Sequence, residues 1–314
     1  MSGLSRRRLL QGALVAGAAA AIPRTAQARE PVSPEPGAVG MLYDSTRCLD
    51  CGACVAACKE ANGLPYRDEP HELDCETKSV VKTRHLSRPA AGGAASAFVK
   101  RQCMHCVDPS CVSVCVLGAL HKEGRGKRDS GGERAGSGIV LYDPTLCLGC
   151  RYCQIACAYS VPKFQWFEAV PRIVKCELCR GRADPAQDGP RAVANPACAE
   201  VCPAEAVVYG RRADLLAEAR RRLAAEPQRY NPKIFGERDG GGTQVLYLAG
   251  AGVSFRDLGF PDMPEKAPAD LSESVSHAPY LHGLTPIALY AAAAWIINRH
   301  RNKESPPAEP KEKP

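Results

Sequence analysis

No C-x-x-C-H occurs anywhere in the 314 residues, so the chain attaches no c-type haem. Neither G-x-G-x-x-G nor a P-loop is present, which leaves no motif for a nucleotide. Nothing resembles a Ser/His/Asp arrangement, so no acyl-transfer nucleophile is marked out. Strong charge is missing as well. The formal +7 is modest, and part of it lies in segments outside the fold, so it does not argue for nucleic acid. Long apolar runs are absent for most of the chain, and Leu14–Ile22 is too short to span a membrane.

Cysteine is what the chain has in excess, with seventeen residues. In an exported protein the default reading is disulfides. Cys48, Cys51 and Cys54 sit too close together to pair usefully with each other. Zinc also uses Cys-x-x-Cys, but a third cysteine at x₂ and a fourth at x₃, twice over, is not zinc-ribbon spacing. The spacing fits [4Fe–4S] ligation instead. A short turning loop points three thiolates at one cube, and the fourth cysteine starts the next helix and faces a second cube.

Four such sets follow one another. Met41-Leu-Tyr-Asp-Ser-Thr-Arg leads into Cys48, Cys51, Cys54 and Cys58. Ile139-Val-Leu-Tyr-Asp-Pro-Thr-Leu leads into Cys147, Cys150, Cys153 and Cys157. Laid over each other, the two stretches match at Leu42, Tyr43, Asp44, Thr46, Leu49, Ala57 and all four cysteines. This is an internal repeat, with a short strand (41–43 and 139–142) entering each loop. Between them lie Cys103, Cys106, Cys111 and Cys115, where an x₄ gap inserts the turn Asp108-Pro109. The last set is Cys176, Cys179, then after a long insertion Cys198 and Cys202. Pro203 gives it the C-P ending of ferredoxin runs, whereas Lys59, Val116 and Ala158 follow the other sets. Cys75 has no neighbour at ligand spacing and reads as a bystander thiol, and His105 as a packing or hydrogen-bonding residue near a cluster.

Sixteen ligands are the number for four [4Fe–4S] clusters. The nesting of the chain pairs outer set with outer and inner with inner. One cube then takes Cys48, Cys51, Cys54 and Cys202, and another Cys176, Cys179, Cys198 and Cys58. The inner pair takes Cys103, Cys106, Cys111 with Cys157, and Cys147, Cys150, Cys153 with Cys115. Fully ligated cubes leave no iron open to substrate, so they pass electrons only. The expected fold is α+β: two nested ferredoxin-like dicluster units, plus a C-terminal membrane helix. The four-cluster domain covers 41–226, its outer unit built from 41–97 and 170–210 and its inner unit from 98–169. A helix is expected at Ala213–Ala225, with Arg220, Arg221 and Arg222 on a solvated basic face, and a strand at Gln244–Leu248. Gly124–Gly138 reads as a surface hairpin tip, 227–279 as an extension and linker.

The two ends carry addresses. Residues 1–28 combine Arg6-Arg7-Arg8-Leu9-Leu10, a short Ala-rich apolar run and Ala26-Gln27-Ala28, which reads as a twin-arginine signal cut before Arg29. Tyr280–Ile297 is eighteen residues without a formal charge and is expected, as 280–298, to anchor the chain in a membrane. Arg299, His300, Arg301 and Lys303 then stay cytoplasmic, leaving 299–314 as a cytoplasmic tail. His282 lacks a second histidine at matching depth for a haem b, and Pro286 lies in the same stretch. The expected location is the periplasmic face of a bacterial inner membrane.

The four sets in this order resemble the four-cluster ferredoxin-type subunits of membrane oxidoreductases. Within that family the chain is most similar to the iron–sulfur subunit of membrane-bound [NiFe] hydrogenase-2. Gly40-Met-Leu-Tyr-Asp-Ser-Thr, Gln102-Cys-Met-His-Cys-Val-Asp-Pro, Lys175-Cys-Glu-Leu-Cys and Gly240-Gly-Gly-Thr-Gln-Val-Leu carry the likeness. The resemblance implies the ligand pairing above. Some relatives replace one ligand of the second set by an aromatic residue, whereas Cys106 is present here. Val116 stands where the family has proline. The resemblance further implies partners: the hydrogenase small and large subunits upstream, and an integral membrane quinone-reacting subunit downstream. The alternatives are the equivalent subunit of a molybdopterin enzyme (formate dehydrogenase or respiratory reductase) or of another quinone-linked complex, a stand-alone sensor or carrier, and a zinc-bound structural module.

Overall fold

The computed structural model describes residues 31–66, 70–86, 95–124, 136–182, 195–270, 273 and 284–301. The signal segment, most of the hairpin tip and the tail from Asn302 lie outside them. Glu30–Ala269 forms one compact unit; the other comprises Met1–Arg29 and Asp270–Pro314.

The larger unit is a mixed α+β assembly of short elements. In order these are β1 (Val39–Asp44), α1 (Ala53–Ala61), β2 (Val80–His85), β3 (Ser96–Arg101), α2 (Ser110–Ser113), β4 (Leu120–Lys122) and β5 (Val140–Tyr142). Then follow α3 (Tyr152–Ala156), β6 (Lys163–Phe164), β7 (Ile173–Val174), α4 (Ala197–Glu200), β8 (Val207–Arg211), α5 (Arg212–Ala225) and β9 (Val245–Leu248). The expected strands and the expected helix at 213–225 form within a residue or two of their sequence bounds.

The β1 strand is the centre of a three-stranded sheet, antiparallel to β8 (Met41 opposite Tyr209) and parallel to β9 (Leu42 opposite Leu246). Side chains alternate faces along a strand. Met41 and Tyr43 of β1, with Val245 and Tyr247 of β9, accordingly face the core that contains the cysteines. Leu42, Leu246 and Leu248 face the other way, onto Leu215 and Ala219 of α5. The sheet thus divides a cysteine layer from a helix that covers its back. Gly40 permits the close β1–β9 approach, since a Cβ there would lie 1.9 Å from the Gln244 carbonyl oxygen. Two hairpins complete the outer and inner parts: β2 pairs with β3, and β4 with β5.

Arg222 departs from the solvated basic face expected for α5. Arg220 and Arg221 are exposed and pair with Glu237 and Glu218. Arg222 is buried, and its guanidinium donates to Asp44 Oδ2 at 3.0 Å and to Glu218 Oε1 at 2.8 Å. Its position one turn past Ala219 puts it on the apolar stripe rather than opposite it. Asp44 is fully buried and also accepts from the Tyr230 hydroxyl at 2.8 Å. The β1 terminus is therefore tied to both α5 and the segment beyond it.

Residues 227–269, read from sequence as extension and linker, supply β9 and much buried surface. The Gly-rich stretch wraps the second cysteine loop: Val107 N donates to Gly242 O, and Gln244 N to Met104 O and His105 O. Phe260, Ala267 and Ala269 are buried, and Gly240 and Gly241 donate to Pro264 O and Glu265 O.

In the second unit the described element is α6 (Leu284–Arg301). Tyr280–Gly283, which the anchor expectation counted, lie outside the described residues. The helix instead runs on through Arg299 and Arg301, so fourteen residues of the uncharged stretch fall within it. At ~1.5 Å per residue these reach ~21 Å, short of a hydrocarbon core of ~30 Å. Among the described residues no helix is long and apolar enough to cross a membrane.

Candidate metal centres

The first three cysteine loops leave a strand, reverse sharply and enter a helix, whereas Cys176–Cys179 runs from β7 into a turn. In all four loops the residue before the second cysteine has positive φ: Asp50 (54°), His105 (46°), Gly149 (76°) and Leu178 (52°). Only Gly149 of the four is a residue to which that conformation comes freely. The shared reversal turns the first two thiols of each set to the same side of the loop. The repeat Asp-x-Thr fixes the entry to two of them. The Asp44 carboxylate accepts from Thr46 N and Oγ1 at 3.0 and 2.7 Å; Asp143 does the same for Thr145 at 2.8 and 2.6 Å.

Four groups of thiols result. Cys48, Cys51 and Cys54 share the wall of an open pocket of about 360 Å³ with Cys202, which arrives beside β8. Cys147, Cys150 and Cys153 line a second, of about 410 Å³, with Cys115. In the interior, Cys106 neighbours Cys157, Cys111 and Cys103. Cys176 faces Cys58 and Cys198, and Cys179 is the further thiol beside Cys58 and Cys198. Packing of α1 on α4 and of α2 on α3 brings these groups together two by two. Cys54 neighbours Cys198, and Cys111 neighbours Cys153. Cys75 lies in the turn bridged between Asp74 and Thr77 and lines neither pocket.

The donor set fits iron–sulfur cubes. Among the described residues no group of three or more His, Cys, Asp or Glu is placed to hold a metal ion. Two of the pockets are nonetheless lined by four thiols each, three from one set and one from another, the all-sulfur donor set such clusters take. Burial pushes several of them up, Cys54 to about 12 and Cys58 and Cys153 to about 11. Such thiols stay protonated in an empty site, and loading displaces their protons. Hydrogen-bond donors already approach sulfur: Leu120 N is 3.3 Å from Cys115 Sγ, and Leu178 N is 3.4 Å from Cys176 Sγ. Each surface loop also has a phenol beside its first cysteine, Tyr43 at Cys48 and Tyr142 at Cys147. Tyr43 spends its proton on Phe98 O at 3.0 Å. Tyr142 accepts from Ile173 N at 3.2 Å, leaving its own proton for sulfur.

His105 takes the hydrogen-bonding role expected of it. Its Nδ1 accepts from Val140 N at 3.0 Å, which joins the second cysteine loop to the strand that feeds the third. Burial, with Lys175 and Lys122 nearby, lowers its pKa well below the usual histidine value, so the ring is neutral and Nε2 carries the proton. That Nε2 is buried without a protein partner, a donor suited to a cluster sulfur.

Sequence reasoning missed the buried lysines. Lys122 Nζ donates to Cys106 O at 2.7 Å, and Lys175 Nζ to Val140 O and Cys176 O. Lys100, on β3, is fully buried among Cys198, Cys54, Cys58 and Cys176. Burial works against its charge, and negative charge on those sulfurs, as ligation gives them, works for it and raises its pKa above the ordinary lysine value. The one signal in the sequence is a lysine inside the apolar run Ala97-Phe-Val-Lys, three residues before Cys103.

Exposure differs among the thiols. Cys51 and Cys150 reach the surface, whereas Cys58, Cys103, Cys111, Cys153, Cys176 and Cys198 are buried. Around the Cys150 pocket the rim is apolar, with Val116, Leu117, Leu146 and Leu148 all exposed.

The 4Fe-4S dicluster domain family matches residues 94–212. Hydrogenase-2 operon protein HybA from Escherichia coli O157:H7 is 34% identical over 337 residues, covering 96% of this chain and 97% of the relative. The chain belongs to the HybA family. More distant similarity reaches the iron-sulfur subunit of the nitrate-inducible formate dehydrogenase of Escherichia coli K12, 28% identical over 67% of each chain. Protein NrfC of the same organism is 32% identical over 60% of this chain and 72% of its own length.

Proposed function

We infer that this chain is the electron-transfer subunit of an oxidoreductase complex and has no catalytic site of its own. The observation that carries the reading is the gathering of thiols distant in sequence, Cys202 with Cys48, Cys51 and Cys54, around one open pocket. Family membership alongside HybA supports a hydrogenase as the complex. The formate dehydrogenase and NrfC relatives stand further off, as cousins rather than equals.

The finer reading assigns four [4Fe–4S] clusters to the four groups, each group of three cysteines completed by the last cysteine of its partner set. Bound clusters supply one-electron carriers that need no open coordination position. The chain's own residues do the rest. The sixteen thiols hold the carriers in fixed positions; α1 packed on α4, and α2 on α3, set the spacing between neighbours. The sheet and α5 cover the inward side of the outer pair. Loops bearing Cys51 and Cys150 bring two groups to the surface, where electrons enter and leave.

The same reading places the mature chain on the periplasmic face of a bacterial inner membrane after twin-arginine export. It contacts hydrogenase small and large subunits on one side and a quinone-reacting integral membrane subunit on the other, with residues 280–298 as the attachment. Anaerobic purification in mild detergent tests it. The expected result is close to sixteen irons per chain, four for each cluster, together with a nickel-bearing large subunit. A molybdopterin subunit in that place would shift the assignment to the sister complexes, and bound zinc with few irons would overturn the cluster reading. Deleting the chain should abolish hydrogen-dependent quinone reduction while sparing dye reduction by the nickel subunit.

A further inference from the structure

Buried lysines in this protein satisfy their ammonium groups in an ordinary way, with one exception. Lys59 donates to Pro65 O and Glu76 O, Lys122 to Cys106 O, and Lys175 to two carbonyls with Glu177 at 3.6 Å. Each therefore has backbone carbonyls, and one a carboxylate, around the charge. Lys100 has neither. Its Nζ donates to Ser79 Oγ and Gln102 Oε1, two neutral acceptors, and its remaining direction faces Cys198. No carboxylate pairs with it among the described residues, although its side chain is 1% exposed.

A charge buried without a counter-charge is strongly unfavourable unless something anionic completes the site. The surroundings say what completes it. Lys100 lies between Cys54, of the first group, and Cys58, Cys176 and Cys198, of the fourth. Its backbone is pinned on both sides, by β2 (Val81 opposite Lys100) and by the Tyr247 hydroxyl donating to Lys100 O at 2.8 Å. Gln102 is held in turn by Met41 Sδ, 2.9 Å from its Nε2. The ammonium is therefore fixed in place rather than free to turn toward solvent.

We propose that Lys100 is a positioning residue that supplies one permanent, buried positive charge to both clusters of the outer unit, favouring their more negative, reduced forms. Lys122 and Lys175 lie beside the inner thiols Cys106 and Cys111, and Lys100 is the one placed among the outer thiols. The two outer clusters are accordingly biased upward in potential by Lys100.

The inference rests on the cluster assignment above, and the iron content of the wild-type protein tests that assignment separately. The experiment is a redox titration followed by electron paramagnetic resonance on the full-length protein purified with its partners. Lys100→Met keeps the length of the side chain and removes the charge; Lys100→Arg keeps the charge. Lys100→Met should move two of the four midpoint potentials to more negative values and leave the other two in place, while Lys100→Arg stays close to wild type. Loss of two clusters in Lys100→Met with retention in Lys100→Arg would also support the proposal, as a charge needed for assembly. Full iron with four unchanged potentials in Lys100→Met, an equal shift of all four, or loss of clusters in both variants would overturn it.

Discussion

A phenol that donates to a cysteine sulfur stabilises the extra electron on the cluster behind it, so its removal lowers the potential. The repeat provides a matched pair of such phenols with different freedom. Because Tyr43 gives its proton to Phe98 O and Tyr142 keeps its proton for Cys147, Tyr142→Phe should shift a cluster potential to more negative values and Tyr43→Phe should shift one less. Titration of the two variants side by side would read this directly; the opposite order would show that the Phe98 contact is not the one that matters. Among the cysteines, Cys202→Ser should remove about one cluster's worth of iron, and Cys75→Ser none. Equal losses would undo the ligand assignment. The sixteen ligand candidates were legible because iron–sulfur chemistry dictates both residue type and spacing. Lys100 was not, because nothing about a single lysine in a strand tells whether its end reaches water.

At the scale of elements, α5 and β1 are held together by a buried ion pair rather than by apolar contact alone. Removing one partner of a buried pair leaves the other charge uncompensated and costs about 3–5 kcal/mol. Arg222→Met should therefore lower stability by roughly 3 kcal/mol in urea titration, whereas Arg220→Met should change little. Glu218 carries a pH dependence. Hydrogen bonds from Arg221, and then Arg222, lower its pKa from 4.5 to about 2. A depressed carboxylate contributes stability that is complete above pH 4.5 and is lost as pH falls toward 2. Acid unfolding of Glu218→Gln should lack that portion of the slope. The strands and α5 could be read from sequence since their periodicities are set by local chemistry. The burial of Arg222 could not, because its partner Asp44 lies in another element far along the chain. For the same reason 227–269 looked like a loose extension. Its glycines and prolines break regular structure locally, while its burial depends on the cysteine loop it encloses.

Attachment and assembly belong to the whole molecule. Truncation after Pro279 should release the chain from washed membranes when its partners are absent; retention would place the attachment elsewhere. The apolar rim around Cys150 should make the isolated chain prone to self-association, visible as a rising sedimentation coefficient with concentration. The sheet order β8-β1-β9 has a further consequence, in time rather than in space. The first strand to leave the ribosome is the last to find its partners, for β1 waits for β8 and β9, and Cys48 waits for Cys202. Cys115 and Cys147 are close in sequence, joined through the hairpin of β4 and β5, so the inner unit can close while the outer one is still gaping. Until the C-terminal third is synthesised, Cys48, Cys51 and Cys54 are an unfinished set held on an unpaired strand. A chain built in this order gains from completing its fold before it moves anywhere else.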